Sequence, residues 1–214
     1  MRKLTCLMIF SVFVCCLMQG ALAAPPVGVK SGDWIEYSVT YTGQPTQGHD
    51  VVVARMEITK VDEANVTVTI SSNFQNNRVE NTTCTLNLQT GHLIDDFIIP
   101  ANLTVGDTFL DENLGNVTIT STDQRVYAGA SRTVVSALTS TNTYVWDQAT
   151  GVSVEGIAQT SEYMIHTIVS ATNMWQPPVG VGYTVLVLAV VFLLIIIVVV
   201  AASVSHFRKQ RLHK

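Results

Sequence analysis

The chain has 214 residues, 48% of them hydrophobic, and a formal net charge of −4. That balance lacks the basic patch or basic-aromatic interleaving that nucleic-acid binding needs. Four cysteines are too few for a scaffold held by disulfide staples.

Residues 1–24 read as a secretory signal peptide. Arg2 and Lys3 form a positive start, Leu4 to Met18 an apolar run, and Ala21-Leu22-Ala23 a small-x-small cleavage site. The apolar run is short for a membrane span of ~20 residues, which favours cleavage over an uncleaved anchor. Cys6, Cys15 and Cys16 leave with it. Cys84 then stands alone, and a buried strand position suits it, since free cysteine behaves as a small hydrophobe.

Residues 25–172 read as an extracytoplasmic β domain. All sixteen Asp and Glu lie in it against six Lys and Arg, leaving it at −10. Period-two alternation dominates, and no 3.6-residue period interrupts it. Ile35, Tyr37, Val39 and Tyr41 share one face of a first strand. Val52, Ala54, Met56 and Ile58 share a face of a second, with Arg55, Glu57 and Thr59 opposite. Val66, Val68, Ile70, Ser72 and Phe74 do so in a third, after a polar turn at Asp62-Glu63-Ala64-Asn65. A fourth strand runs through Cys84, Leu86 and Leu88, and Val117 and Ile119 mark another. Later strands are predicted over about 132–138, 143–147, 152–159 and 163–171, about ten in all.

Leu86-Asn87-Leu88-Gln89-Thr90-Gly91-His92-Leu93 matches Val145-Trp146-Asp147-Gln148-Ala149-Thr150-Gly151-Val152 in kind. Each is a polar turn ending in Thr-Gly, where glycine suits a left-handed residue closing a hairpin. Gly32-Asp33-Trp34 and Gly106-Asp107-Thr108-Phe109 match as well. Two related meanders in tandem, joined by a crossover through Pro100, would explain both pairs; shared turn chemistry would too.

Residues 173–180, with Pro177 and Pro178, read as a short stiff linker. Residues 181–204 are uncharged and long enough for one transmembrane helix. The tail at 205–214 carries four Lys and Arg, which places it in the cytoplasm and the β domain outside. With no ionisable residue in the span, the helix reads as a passive anchor.

Four sequons are candidate glycosylation sites: Asn65, Asn81, Asn102 and Asn116, each followed two residues later by Thr. Asn65 and Asn116 stand first. His92 with Asp95-Asp96 is the best cation candidate, yet no group has zinc or calcium-loop spacing, so no metal or cofactor is expected. No nucleophile elbow, His-Glu-x-x-His, phosphate loop or dinucleotide fingerprint is present, and no catalytic residue is assigned. Acid pairs such as Asp111-Glu112 sit in turn-like contexts that suit solvated carboxylates. The aromatics Trp34, Tyr37, Tyr41, Phe74, Phe97, Phe109, Tyr144, Trp146 and Tyr163 read as core at strand spacing, although a curved sheet would leave some lining a cavity.

Gly32-Asp33-Trp34, Phe97-Ile98-Ile99-Pro100-Ala101-Asn102-Leu103, Val105-Gly106-Asp107, the run from Tyr127 to Val134, Tyr144 to Val152, and Thr172-Asn173-Met174-Trp175 together resemble a family of archaeal cell-surface proteins. That resemblance implies a signal peptide, a β-rich ectodomain and one C-terminal anchor, and carries no active-site residue. The Trp146-Asp147 to Gly151-Val152 hairpin also resembles those of curved half-barrel lipoprotein carriers.

The fold expected is an all-β antiparallel curved meander or half-barrel, with a β-sandwich as the alternative, plus one C-terminal transmembrane helix. The function expected is a non-enzymatic module at the cell membrane for binding or envelope structure, with a surface protein, glycan or lipid as partner and no nucleic acid. Its alternatives are a carrier of a lipid or other apolar ligand, which requires an apolar pocket in the sheet, and a hydrolase without a recognisable motif.

Overall fold

The computed structural model describes residues 24–45, 48–138, 142–177 and 186–197. Apart from Ala24, the expected signal peptide lies outside them, as does the basic tail. The chain divides into two units, 1–174 and 175–214.

The first unit is all antiparallel β. Its strands are β1 (Trp34–Gly43), β2 (Val51–Asp62), β3 (Asn65–Phe74), β4 (Val79–Asn87), β5 (Thr108–Asp111), β6 (Gly115–Thr118), β7 (Ser121–Tyr127), β8 (Ala130–Leu138), β9 (Asn142–Asp147), β10 (Ser153–Gln159) and β11 (Tyr163–Thr172). Nine form one sheet in the order β4-β3-β2-β1-β11-β10-β9-β8-β7, while β5 and β6 make a separate hairpin. A sandwich would need two sheets packed face to face. One continuous nine-stranded sheet, open at β4 and β7, instead matches the curved meander. The chain runs outward from the centre through β2, β3 and β4, crosses over, and returns inward from β7 to β11, which pairs with β1.

Alternation sets the register. Ile35 pairs with Met56, Ile58 with Val68, Val66 with Leu86 and Val135 with Trp146, and every one of these side chains is buried. On the opposite face Thr67 meets Thr85 and Thr69 meets Thr83, each hydroxyl pair at 3.0 Å, and the Arg55 guanidinium lies 3.9 Å from the Trp34 ring centre. The crossover after β4 supplies Leu93, Ile98 and Ile99 to the core, all fully buried, and Ile98 bridges to Val152, immediately before β10. Trp146 is the largest buried side chain. It packs edge-on to Phe109 at 5.6 Å, stacks on Tyr144 at 5.4 Å, and its Nε1 donates to the Asp96 carbonyl at 2.7 Å.

The paired turns share one backbone plan. The Asn87 N–H donates to the His92 carbonyl and the Gly91 N–H to the Asn87 carbonyl. Likewise the Asp147 N–H donates to Val152 and the Gly151 N–H to Asp147. Asn87 Oδ1 accepts from the Thr90 N–H, and Asp147 Oδ1 from the Thr150 N–H, both at 2.9 Å. The Gly-Asp corners agree as well: Gly32 and Asp33 exchange backbone bonds with Ile58, and Gly106 and Asp107 do so with Ile119. The two halves therefore share these turns, but β5 and β6 stand apart from the large sheet. Gly151 has φ 73°, and a Cβ there would sit 2.1 Å from the Ile99 carbonyl oxygen, so the crossover packs directly onto this turn.

Two strands were not expected, β5 and β7, and β4 begins at Val79, five residues before Cys84. Cys84 is half-buried on that edge strand. In the second unit, the helix α1 covers 186–197 and its side chains are all exposed. Among the described residues no helix is long and apolar enough to cross a membrane. The expected span at 181–204 is thus seen as twelve helical residues, and its two ends lie outside the described residues.

Candidate functional site

Where β1, β11, β10 and β9 run side by side, the inner face carries small residues among large ones. One row across the four strands reads Tyr41, Ile165, Ala158, Asn142; the next reads Val39, Thr167, Gly156, Tyr144. A third continues through Val169, Tyr37, Ala54 and Ser72 on β11, β1, β2 and β3. Side chains of this face that lack bulk leave a cavity of about 450 Å³, bounded at one side by Asp95 and Phe97 of the crossover and at another by Gly48, His49 and Val51. Gly156 is central to it: a Cβ built there would meet nothing within 4 Å. The volume lies within the ~300–1,000 Å³ common for small-molecule sites.

The walls are mostly apolar, and their polar groups are placed by specific contacts. The buried Tyr37 hydroxyl donates to the Ser153 carbonyl at 2.9 Å, and burial pushes its pKa far up. The Tyr41 hydroxyl bonds the His49 carbonyl at 2.6 Å, and its pKa is pushed up to about 12 by burial, with Asp50 and Tyr163 adding to it. His49 Nδ1 lies 2.6 Å from the Tyr163 hydroxyl. Asn142 Nδ2 donates to the Tyr144 hydroxyl at 2.8 Å. Tyr37, Tyr41 and Tyr144, all raised by burial, remain neutral donors and acceptors across the physiological range.

Charge enters at the crossover end. Ile94, Asp95 and Asp96 hold three successive left-handed conformations, φ 47°, 56° and 53°. A β-branched residue pays heavily for that region, so tertiary packing must enforce it. The turn puts Asp95 on the cavity wall and buries Asp96, which is only 4% exposed. Asp96 faces Asp111 of β5, itself buried and holding the N–H groups of Asn113 and Leu114 at 2.7 and 2.6 Å on Oδ1. Burial pushes the Asp96 pKa up to about 7, helped by its interaction with the Asp111 carboxyl and by the nearby Asp95. Its Oδ1 is buried without a hydrogen-bond partner. Tyr144 is raised by burial first and then by the charges of Asp96, Asp95 and Asp111, so all three acids are felt at the cavity wall.

The sequence candidates fall in different places. Asn81, Asn102 and Asn116 are exposed on β4, the crossover and β6. Asn65 is half-buried at the start of β3, where its Oδ1 accepts from Asn87 Nδ2 at 2.8 Å. The four are not brought together. His92 does not join Asp95 and Asp96; its Nδ1 lies 2.6 Å from Glu112 Oε1. Among the described residues no group of three or more His, Cys, Asp and Glu could hold a metal ion. Asp111, expected to be a solvated turn acid, is buried instead. Gly156, Ala158 and Asn142 went unnoticed in the sequence. The glycine inside a strand was the available signal, because such a residue marks a bend or a close approach.

No family model matches this chain, and no curated protein matches it. Among solved structures, one match is a structure of a siderocalin, Ex-FABP, described as functioning through dual ligand specificities. It is 10% identical and covers 65% of this chain and 70% of that one, with a TM-score of 0.24. At that score the likeness carries no argument about fold or function.

Proposed function

We propose that this chain is a non-enzymatic, extracytoplasmic binding module whose curved sheet cradles an apolar or amphiphilic ligand. The cavity of about 450 Å³ on the inner face of β1, β9, β10 and β11 carries this reading. A half-barrel with a filled interior would have been a structural scaffold only; here Gly156 and Ala158 keep space open where larger strand residues would close it. Tethering through the C-terminal segment is supported by α1, which exposes apolar side chains all round, as a helix facing lipid does. The apolar N-terminal run with its small-x-small site supports export. A protein partner is a second reading, favoured by the free edge of β4, where 79–83 are all exposed.

Native mass spectrometry of the full chain, released from lipid nanodiscs, tests the proposal. The expected result is a co-purifying small ligand on the wild type and less on Gly156→Leu, whose side chain projects into the cavity. The same spectra report glycans at Asn65, Asn81, Asn102 and Asn116. Equal ligand occupancy in wild type and Gly156→Leu would overturn the cavity as the binding site.

A further inference from the structure

The two edges of the large sheet are protected unequally. At one end β7 carries Asp123 and Arg125 in mid-strand, and Arg125 is tied to Asp123 and to Glu155. Such charges discourage an added strand. At the other end β4 has none of the usual devices. It pairs with β3 over nine consecutive residues without a bulge, and it holds no Pro and no Lys. Its one charge, Glu80, is answered by Arg78 just outside the strand at 3.3 Å. Residues 79–83 are exposed on both faces. Among the described residues, no backbone hydrogen bond reaches 79–86 from anything but β3. A long, regular, neutral edge of that kind is a template for pairing with another chain.

A second copy of this chain is the nearest strand to fit it. With two β4 strands antiparallel about a two-fold axis at Thr83, Glu80 of one copy would face Leu86 of the other, and no like charges would meet. Asn81-Thr82-Thr83, a sequon, lies in the same exposed stretch. The fold treats the other sequons differently. Asn65 is half-buried, and its Oδ1 is held by Asn87 Nδ2 at 2.8 Å. Asn102 and Asn116 lie in the crossover and on β6, outside the large sheet. Asn81 stands on the open edge, where pairing with Ser71 puts it on the same wetted face as Thr83, whose hydroxyl meets that of Thr69 at 3.0 Å. In the two-fold arrangement it would stand opposite Thr85 of the other copy. Directly opposed residues on one face are about 5 Å apart, which leaves no room for a sugar chain between them.

Resting on the extracytoplasmic placement above, we infer that Asn81 carries an N-linked glycan whose role is to keep the β4 edge from adding a strand of a second copy. The donor is a lipid-linked oligosaccharide phosphate, used by a membrane transferase. Asn81 Nδ2 forms a bond to the anomeric carbon and gives up one proton. The anomeric carbon–oxygen bond breaks, and the lipid phosphate leaves with the electron pair. Thr83 completes the acceptor motif. A glycan and an added strand exclude each other at this edge, so the modification also takes the edge away from a protein partner.

The full chain is purified in detergent from its native cells as wild type, Asn81→Gln, Thr83→Ala and Thr83→Ser, with Asn116→Gln as the control. Peptide mass spectrometry reads the sugar, and sedimentation velocity reads the dimer dissociation constant. Asn81 is expected to be modified in the wild type and in Thr83→Ser, which keeps an acceptor hydroxyl. Asn81→Gln and Thr83→Ala, which lose the sequon by different routes, are expected to dimerise about tenfold more tightly or better. Asn116→Gln and Thr83→Ser should match the wild type, since any association through α1 is common to all five. A sugar-free Asn81 in the wild type overturns the inference and leaves the edge to a protein partner. A modified Asn81 whose loss leaves the dissociation constant unchanged overturns the guarding role. Protease added to whole cells separates this from the placement it rests on. A β domain that resists digestion on intact cells but not on lysed ones overturns the extracytoplasmic reading itself, and this inference with it.

Discussion

Replacing Asp96 by Asn removes a buried charge without changing shape, and its effect on stability is set by pH. In the ligand-free folded chain the carboxyl keeps its proton up to about pH 7, whereas an unfolded Asp loses it near 3.8. Between those values the folded state binds more protons, so stability falls as pH rises and the deficit is complete above about pH 7. A displacement from 3.8 to about 7 corresponds to about 4 kcal/mol, an upper figure because the site can relax. Asn carries no such proton, so Asp96→Asn should match the wild type near pH 4 and exceed it by up to that amount at pH 8. With a urea slope of ~2 kcal/mol/M, the midpoint difference at pH 8 is about 2 M. The opposing contribution comes from Glu155. Burial raises it, but bonds from Tyr127 and His166 and the Arg125 charge hold it net below the usual carboxylate range. That stabilisation is lost only as pH falls below about 4.5, at the acid end of the Asp96 window, and it is common to the wild type and Asp96→Asn. Urea titrations of the full chain at pH 4.5, 6 and 8, followed by the fluorescence of its three tryptophans, measure the difference. A wild type equally stable at pH 6 and 8, or an Asn variant that tracks it throughout, would refute the reasoning.

Two substitutions probe the frame around the site. Gly151→Ala should destabilise the domain by about 2–4 kcal/mol, because it combines a left-handed φ with a Cβ 2.1 Å from the Ile99 oxygen, whereas Gly106→Ala, also left-handed but with open space, should cost about 1 kcal/mol. A common loss for both, read from urea midpoints, would mean that the close approach is not felt. Arg132→Met should cost about 3 kcal/mol at neutral pH. It strands Asp147, 1% exposed, whose two oxygens accept from Arg132 at 2.7 and 3.1 Å. Asp147→Asn should cost less, since its Oδ1 can still accept from Thr150; the reverse order in thermal melts would contradict this.

Much of this architecture was legible because β1, β2 and β3 have one buried and one wetted face, and the alternation follows from that. β7 was not, since Ser121 to Val126 are exposed on both faces and only Tyr127 is buried, so no periodicity exists to read. β5 hid for the opposite reason: four residues with an inward Asp111 break the apolar pattern. The Thr-Gly and Gly-Asp pairs were legible as repeats because their turn geometry is local. The cavity was not, because an absence of side-chain volume at Gly156 and Ala158 acquires meaning only when Tyr41 and Tyr144 stand opposite across four strands. Asp95-Asp96 was visible as a pair, but its third member arrives through the β5–β6 hairpin, and no spacing rule links them.

The order of the sheet places its first and last strands together at the centre. Trp34 N–H bonds the Asn173 side chain, and Thr172 Oγ1 returns a bond to the Trp34 carbonyl. As the chain leaves the ribosome, β1 therefore waits for a neighbour more than a hundred residues behind it, and such distant pairings close slowly. Until β11 arrives, two half-built meanders each present an unpaired strand to the surroundings. The walls of the cavity belong to both meanders, so binding competence comes into being only with the last strand, and a chain stopped short of it holds no partial version of the site.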